Sequence, residues 1–391
     1  MQSISRPVPL LAPRLVPLLF PLLLLACVAA MPACAQSTPP AVPAPPALAD
    51  GAHDFDPLLG TFTFQLHYML HPLTSSPDWT GMSGAGACYK VWNGRAQLDT
   101  VELDGPSGSH MEGLTLRLYD PAARQWRLYW ANNRIGRLDP PQIGAFQSGR
   151  GDFYTTDTIN GKTTLIRFDW SRMTSGTPHF EQAFSPDGGQ TWEVNWITNQ
   201  TRTSQSVWGQ PEPGRPSTWP PGSNPPPAAA TRDGQHDFDF DEGTWKMHIR
   251  RLVHPLTGST EWTEMEGTTV THPIWNGRAN LAEVEADGAS GHLELLALRL
   301  YDPVAHQWNI HFATSDVGVL SVPAVGTFHD GQGEFYDSEL YHGRNILVRF
   351  RIGPVSANEV LSDQAFSADG GHTWETNWIN TYTRVSAKDS Q

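Results

Sequence analysis

The chain has 391 residues, with 40 acidic against 26 basic side chains and a formal charge of −14. That balance argues against nucleic acid and anionic membrane surfaces as partners, because both would be repelled. Of the three cysteines, Cys27 and Cys34 fall in the leader described next. Cys88 therefore stands alone, and one thiol can make neither an internal disulfide nor a thiolate metal cluster.

Residues 1–35 have the form of a signal peptide. Arg6 and Arg14 precede an apolar run from Leu15 to Ala30, and Ala33-Cys34-Ala35 supplies the small residues a signal peptidase needs. Pro17 and Pro21 interrupt the run, so no membrane insertion is expected after cleavage and the mature protein is expected to be periplasmic or secreted. Leu25-Ala26-Cys27 loosely resembles a lipoprotein box; lipid anchoring at Cys27 is the lesser alternative, since Leu25 is bulky for its position. Residues 36–52 form a Pro/Ala-rich linker.

From residue 53 the chain is a sequence written twice. His53-Asp54-Phe55-Asp56 recurs as His236-Asp237-Phe238-Asp239, His71-Pro72-Leu73-Thr74 as His254-Pro255-Leu256-Thr257, and Trp92-Asn93-Gly94-Arg95 as Trp275-Asn276-Gly277-Arg278. The spacing shortens by one residue after Ser109, and the match continues through Leu116–Pro121 with Leu298–Pro303 and Gln182–Ser185 with Gln364–Ser367. The boundaries this gives are repeat 1 at 53–204, a Pro-rich linker at 205–235, repeat 2 at 236–386 and a tail at 387–391. Within each repeat the pattern is period two. Trp126, Leu128 and Trp130 alternate with Arg127 and Tyr129, and Trp308, Ile310 and Phe312 with Asn309 and His311. Turn signals such as Asn93-Gly94, Asp120-Pro121 and Asn160-Gly161 separate the runs. About eight to ten antiparallel strands per repeat suit a closed barrel or a sandwich, making the chain all-β.

Gly243-Thr244-Trp245, after the lead-in Phe238-Asp239-Phe240, resembles the G-x-W opening of calycin (lipocalin-like) barrels. The repeat as a whole resembles an uncharacterised bacterial domain family placed near calycins and nitrobindins. The resemblance implies two tandem antiparallel calycin-like β-barrel domains. It also implies a structural plug in which Arg384 covers Trp245, with Arg202 and Phe62 as the counterparts in repeat 1. Ser185–Trp192 and Ser367–Trp374 fit the Asp-box pattern of sialidase propellers, but one box per repeat is too few for a propeller.

Strand parity is what sorts candidate site residues, taking the leucine side as inward. His110 and Glu112 share parity with Leu114, Leu116 and Leu118, and Glu102 shares it with Ala96 and Leu98. In repeat 2, His292 and Glu294 go with Leu296, Leu298 and Leu300, and Glu285 with Leu281. An acid–His–acid cluster at a cavity mouth would serve as a polar ligand anchor, a general base or a metal site. Gln182 and Gln364 are candidates to join it, with Trp130, Trp196, Phe312 and Trp378 as walls. Arg117, Arg167, Arg299 and Arg349 are expected on the outside. His53-Asp54-x-Asp56 is taken as a cap on a short turn, and no metal is assigned. Whether one or both repeats bind is left open by the sequence; if only one does, repeat 2, which keeps Gly-Thr-Trp and carries Glu264 and Glu266, is the expected copy.

The leading expectation is an exported small-ligand-binding protein with a cavity in each barrel. The alternatives are a carbohydrate-binding module and, behind it, an acid/base or metal-dependent enzyme. Haem binding in the manner of nitrobindin ranks last. No phosphate-binding glycine loop, HExxH, G-x-S-x-G or Cys/His pair is present, so no cofactor and no reaction are assigned.

Overall fold

A computed structural model describes residues 50–76, 78–205 and 233–385. The expected signal peptide and Cys27, nearly all of the 36–52 linker, the Pro-rich run of the second linker and the tail lie outside the described residues.

The chain forms two closed ten-stranded antiparallel barrels. The first runs β1 (Gly60–Met69), β2 (Trp79–Val91), β3 (Ala96–Asp104), β4 (His110–Asp120), β5 (Gln125–Asn132), β6 (Gln142–Gln147), β7 (Arg150–Ile159), β8 (Lys162–Ser171), β9 (His179–Ser185) and β10 (Glu193–Ser204). The second repeats the order: β11 (Gly243–Leu252), β12 (Trp262–Ile274), β13 (Ala279–Gly288), β14 (Gly291–Asp302), β15 (Gln307–Thr314), β16 (Ala324–His329), β17 (Gln332–Tyr341), β18 (Arg344–Ser356), β19 (Glu359–Ser367) and β20 (Glu375–Arg384). Each strand pairs with the next, and first pairs with last, so no sheet edge is left open. Among the described residues no helix is long and apolar enough to cross a membrane.

One end of each barrel is closed by its lead-in. Phe55 and Phe238 are fully buried. Phe55 meets Trp126 edge-on at 5.2 Å and Phe238 meets Trp308 at 4.9 Å. The indole N–H of Trp126 donates to the Gly51 carbonyl, and that of Trp308 to Gly234, both at 2.9 Å. Beside them Arg384 lies 4.0 Å over Trp245 while donating to the carbonyls of Glu242 and Phe240 at 2.8 and 2.9 Å. Arg202 lies 4.6 Å over Phe62. In each Asp box, the aspartate accepts from the Thr backbone N–H (Thr191 to Asp187, Thr373 to Asp369, both 2.9 Å) and from the Ser hydroxyl. The box staples a hairpin to itself.

The leucine side is not the barrel interior. Leu114, Leu116, Leu118, Leu296, Leu298 and Leu300, with Ala96, Leu98, Ala279, Leu281, Trp92 and Trp275, form one buried cluster drawn from both barrels. This is the seam where the two barrels pack against each other. The seam has approximate two-fold symmetry: Arg95 pairs with Glu294 and Arg278 with Glu112, the same two positions exchanged between copies. Gly136 and Gly318 are equivalent too. A Cβ at either would sit 1.8 Å from a carbonyl oxygen of the other barrel, Tyr301 or Tyr119, and both have positive φ (64° and 66°), so only glycine fits. Strands β4 and β14 are buried on both faces, and in that case the more apolar side need not be the inner one.

Candidate functional site

Inverting the parity turns a different set of residues inward. Arg117 and Arg299, expected outside, are buried in the barrels. Arg117 is ion-paired to Asp99 and lies 4.6 Å over Phe55 and 5.1 Å over Trp170. Arg299 is ion-paired to Asp241 and lies 4.5 Å over Phe238. Arg167 and Arg349 do face out, stacked on Trp192 and Trp374 at 4.7 and 4.8 Å.

The predicted acid–His–acid clusters do not gather in a cavity. Glu285 and His292 have 71% and 47% of their side chains exposed, and His292 hydrogen-bonds Asp287 at 2.9 Å, which raises its pKa. Glu102 and His110 are likewise open to solvent, with His110 held by Asp104. Glu294 and Glu112 are committed to the seam. Burial works against the Glu294 carboxylate, but hydrogen bonds from Ser315 and Arg95 outweigh it and hold its pKa below the usual range. Glu264 and Glu266 are also outside, facing His248. For the β3, β4, β13 and β14 residues the physical reason is that they share a face with leucines that meet the other barrel, not the lumen; Glu264 and Glu266 flank Met265, which takes the inward face of β12.

A cavity of about 200 Å³ does exist, and it lies in barrel one. Six rings line it (Phe64, Trp130, Phe168, Trp170, Phe180 and Trp196), together with Asp99, Gln142, Gln182, Thr198 and Gln200. Trp130, Gln182 and Trp196 are thus the candidates from sequence that the structure brings together. Gln182 is oriented by Asn195 at 2.8 Å, and the Trp196 indole N–H by Thr198 at 2.9 Å. Trp130 can lie across β4 because residue 113 is glycine; a Cβ there would be 2.2 Å from its ring.

The cavity reaches the surface at a notch in the sheet. β6 pairs with only Trp126, Arg127 and Leu128 of β5, and its pairing with β7 stops at Tyr154. Trp130 and Thr155–Ile159 consequently have no β6 neighbour, and the connection from 133 to 141 crosses the gap with Asp139 N–H bonded to the Trp130 carbonyl at 2.8 Å. Asp139, Pro140, Thr155 and Asp157 line the cavity here. The Asp139 carboxyl is raised above the ordinary aspartate range by partial burial and by the facing charge of Asp157.

Barrel two lines the equivalent space with less polar side chains. Asp99, Thr115 and Gln142 correspond to Ala282, Ala297 and Ala324, Gln200 to Tyr382, and Gly113 with Trp130 to Leu295 with Phe312. The main core cluster of barrel two runs from Phe238 to Tyr382, with Phe312 and Trp378 packed against it, and a smaller one holds Ile346, Val348 and Phe366; barrel one likewise has two clusters. Gln364 donates to Asn377 at 2.9 Å. The cavity lies in repeat 1, whereas repeat 2 is the copy favoured from sequence if only one binds. Among the described residues no group of three or more His, Cys, Asp or Glu side chains is arranged to hold a metal ion.

No family model matches the chain, and no curated protein matches it. Among solved structures the chain is similar to an S-type phycobiliprotein lyase from Guillardia theta, at 11% identity over 41% of this chain and 99% of that one, with a TM-score of 0.29. It is also similar to a redesigned β-barrel bound to DFHBI (11% identity, 38% of this chain, 99% of that one, TM-score 0.22). A protein of unknown function of the DUF3598 family from Nostoc punctiforme matches over 86% of this chain and 99% of that one, at 11% identity and a TM-score of 0.24.

Proposed function

We propose that this is an exported small-molecule-binding protein of calycin-like architecture, with its ligand held inside barrel one and barrel two serving as a packed partner. The observation that carries the reading is the asymmetry between copies. Where barrel two presents Ala282, Ala297 and Ala324, barrel one presents Asp99, Thr115 and Gln142 to a cavity walled by six aromatic rings and reached through a side notch. Apolar walls with a few polar groups are what a pocket for a compact organic molecule requires. The export component rests on the leader sequence alone. The test is native mass spectrometry of the full chain purified gently from its host compartment. A defined small-molecule adduct, lost in Thr115→Phe, is expected; bare protein from the native source would overturn the reading.

A carbohydrate-binding reading has one observation in its favour. Tyr154 and Tyr336 are about half exposed and lie 6.2 and 6.0 Å from Trp192 and Trp374, giving each barrel the same outer aromatic pair. Retention on a polysaccharide column, lost in Tyr154→Ala with Tyr336→Ala, would support it over the lumen.

A further inference from the structure

We infer that the ligand of the barrel-one cavity is a flat aromatic amine: a ring that inserts among the indoles and carries a protonated nitrogen toward Asp139 and Asp157. The inference rests on the proposed binding function and specifies the chemistry of its ligand.

The first observation is charge. Three carboxylates (Asp99, Asp139 and Asp157) line the cavity, and none of the described lining residues is Lys, Arg or His. Arg117, which pairs with the lining residue Asp99, is fully buried and already committed to it and to the faces of Phe55 and Trp170. Asp139 and Asp157 at the notch have no such counter-charge from the wall. A carboxylate ligand such as a fatty acid would enter past two negative groups and find no basic anchor, at a cost in both Coulomb and desolvation energy. An ammonium group would be attracted by the same two groups and by the ring faces behind them.

The second observation is independent of charge. Gln142 is only 3% exposed and lines the cavity, yet its Oε1 has no hydrogen-bond partner among the described residues; its Nε2 donates to the Pro140 carbonyl at 3.2 Å. An acceptor left unpaired beside the cavity costs about 1–3 kcal/mol, a cost that a donor would recover if a small side-chain shift brought the oxygen to the lumen. A ring N–H supplies one. Six aromatic walls in about 200 Å³ leave room for a planar bicycle rather than a long chain.

Barrel two carries a parallel feature at the same notch. Asp337 and Glu339 stand where barrel one has Thr155 and Asp157, and Asp337 Oδ1 is buried without a partner. Both copies thus place carboxyl groups at this opening.

The test is isothermal titration of the full chain at neutral pH with three probes that share a ring: tryptamine, indole and indole-3-acetate. Tryptamine is expected to bind at least tenfold more tightly than indole, and indole-3-acetate more weakly than indole. Asp139→Asn with Asp157→Asn should cut the tenfold preference for tryptamine over indole to within about twofold. Gln142→Leu should weaken indole and tryptamine alike. If indole-3-acetate binds as tightly as tryptamine, the amine assignment is overturned while the binding function stands. If none of the three binds, the assignment is overturned, and the adduct measurement above decides the binding function separately.

Discussion

Replacing Leu298 by alanine separates the two possible roles of the leucine side. Leu298 is completely buried, in a cluster to which both barrels contribute. The substitution removes three carbons, worth about 2.4 kcal/mol at ~0.8 kcal/mol per buried CH₂. The seam is held on each side by closed sheets that cannot collapse inward, so a residual cavity adds to this and the expected loss is about 3 kcal/mol, within the range of ~2–5 kcal/mol for buried leucines. The approximate two-fold symmetry demands that Leu116→Ala, at the matching position and equally buried, lose a similar amount. Equilibrium unfolding in urea followed by tryptophan emission measures both. Binding of a probe in the barrel-one lumen should be unaffected, because neither side chain lines it. A loss below about 1 kcal/mol for both variants, or a gain in ligand capacity, would mean that the leucines face a lumen after all.

Three further outcomes follow from the buried charges and the hairpins. Asp99→Asn leaves the Arg117 guanidinium buried with no counter-charge and should cost about 3–5 kcal/mol; Asp241→Asn should do the same to Arg299, each read from thermal melts. The Asp337 carboxyl is pushed up to about 7 by burial and then by Glu339, whose own pKa is raised by burial. A raised folded-state pKa gives stability that is complete below the ordinary aspartate range and is lost as pH rises through about 7. The protein should therefore melt lower at pH 8 than at pH 5, with Asp337→Asn flattening the difference. Hydrogen bonds from Thr191 and Ser185 hold Asp187 down to about 2, so its contribution is present above the ordinary aspartate pKa and is lost as pH falls from there through about 2. Asp187→Ala should speed amide exchange at Gly189 and Thr191 without altering exchange in barrel two.

Repetition made the architecture legible. A strand pattern seen twice, with turn residues at matching places, identifies two all-β units without any packing knowledge, and the late arginine with the G-x-W start brings the two barrel ends into register. The direction of each strand face was not legible. Parity divides a strand into two sides but does not name the inner one, and β4 and β14 bury both: leucines against the other barrel, and Arg117 or Arg299 inside. Seen from one barrel alone, Leu-x-Leu-x-Leu is the obvious core and a lone arginine the obvious surface residue. The pair that corrects this, Arg117 with Asp99, spans two strands and shows only once their register is known. A sequence signal for the cavity was nonetheless present. Asp99, Thr115 and Gln142 each align with alanine in the other copy. Polar against small, three times over, marks an interior whose lining differs in polarity between the copies.

The most direct measurement is the number and place of ligands taken up by the intact chain. Native mass spectrometry with indole should show one molecule per chain, abolished by Thr115→Phe in barrel one and retained in the matching Ala297→Phe of barrel two. Two indoles per chain, or binding lost only when barrel two is altered, would contradict the assignment of the lumen to barrel one.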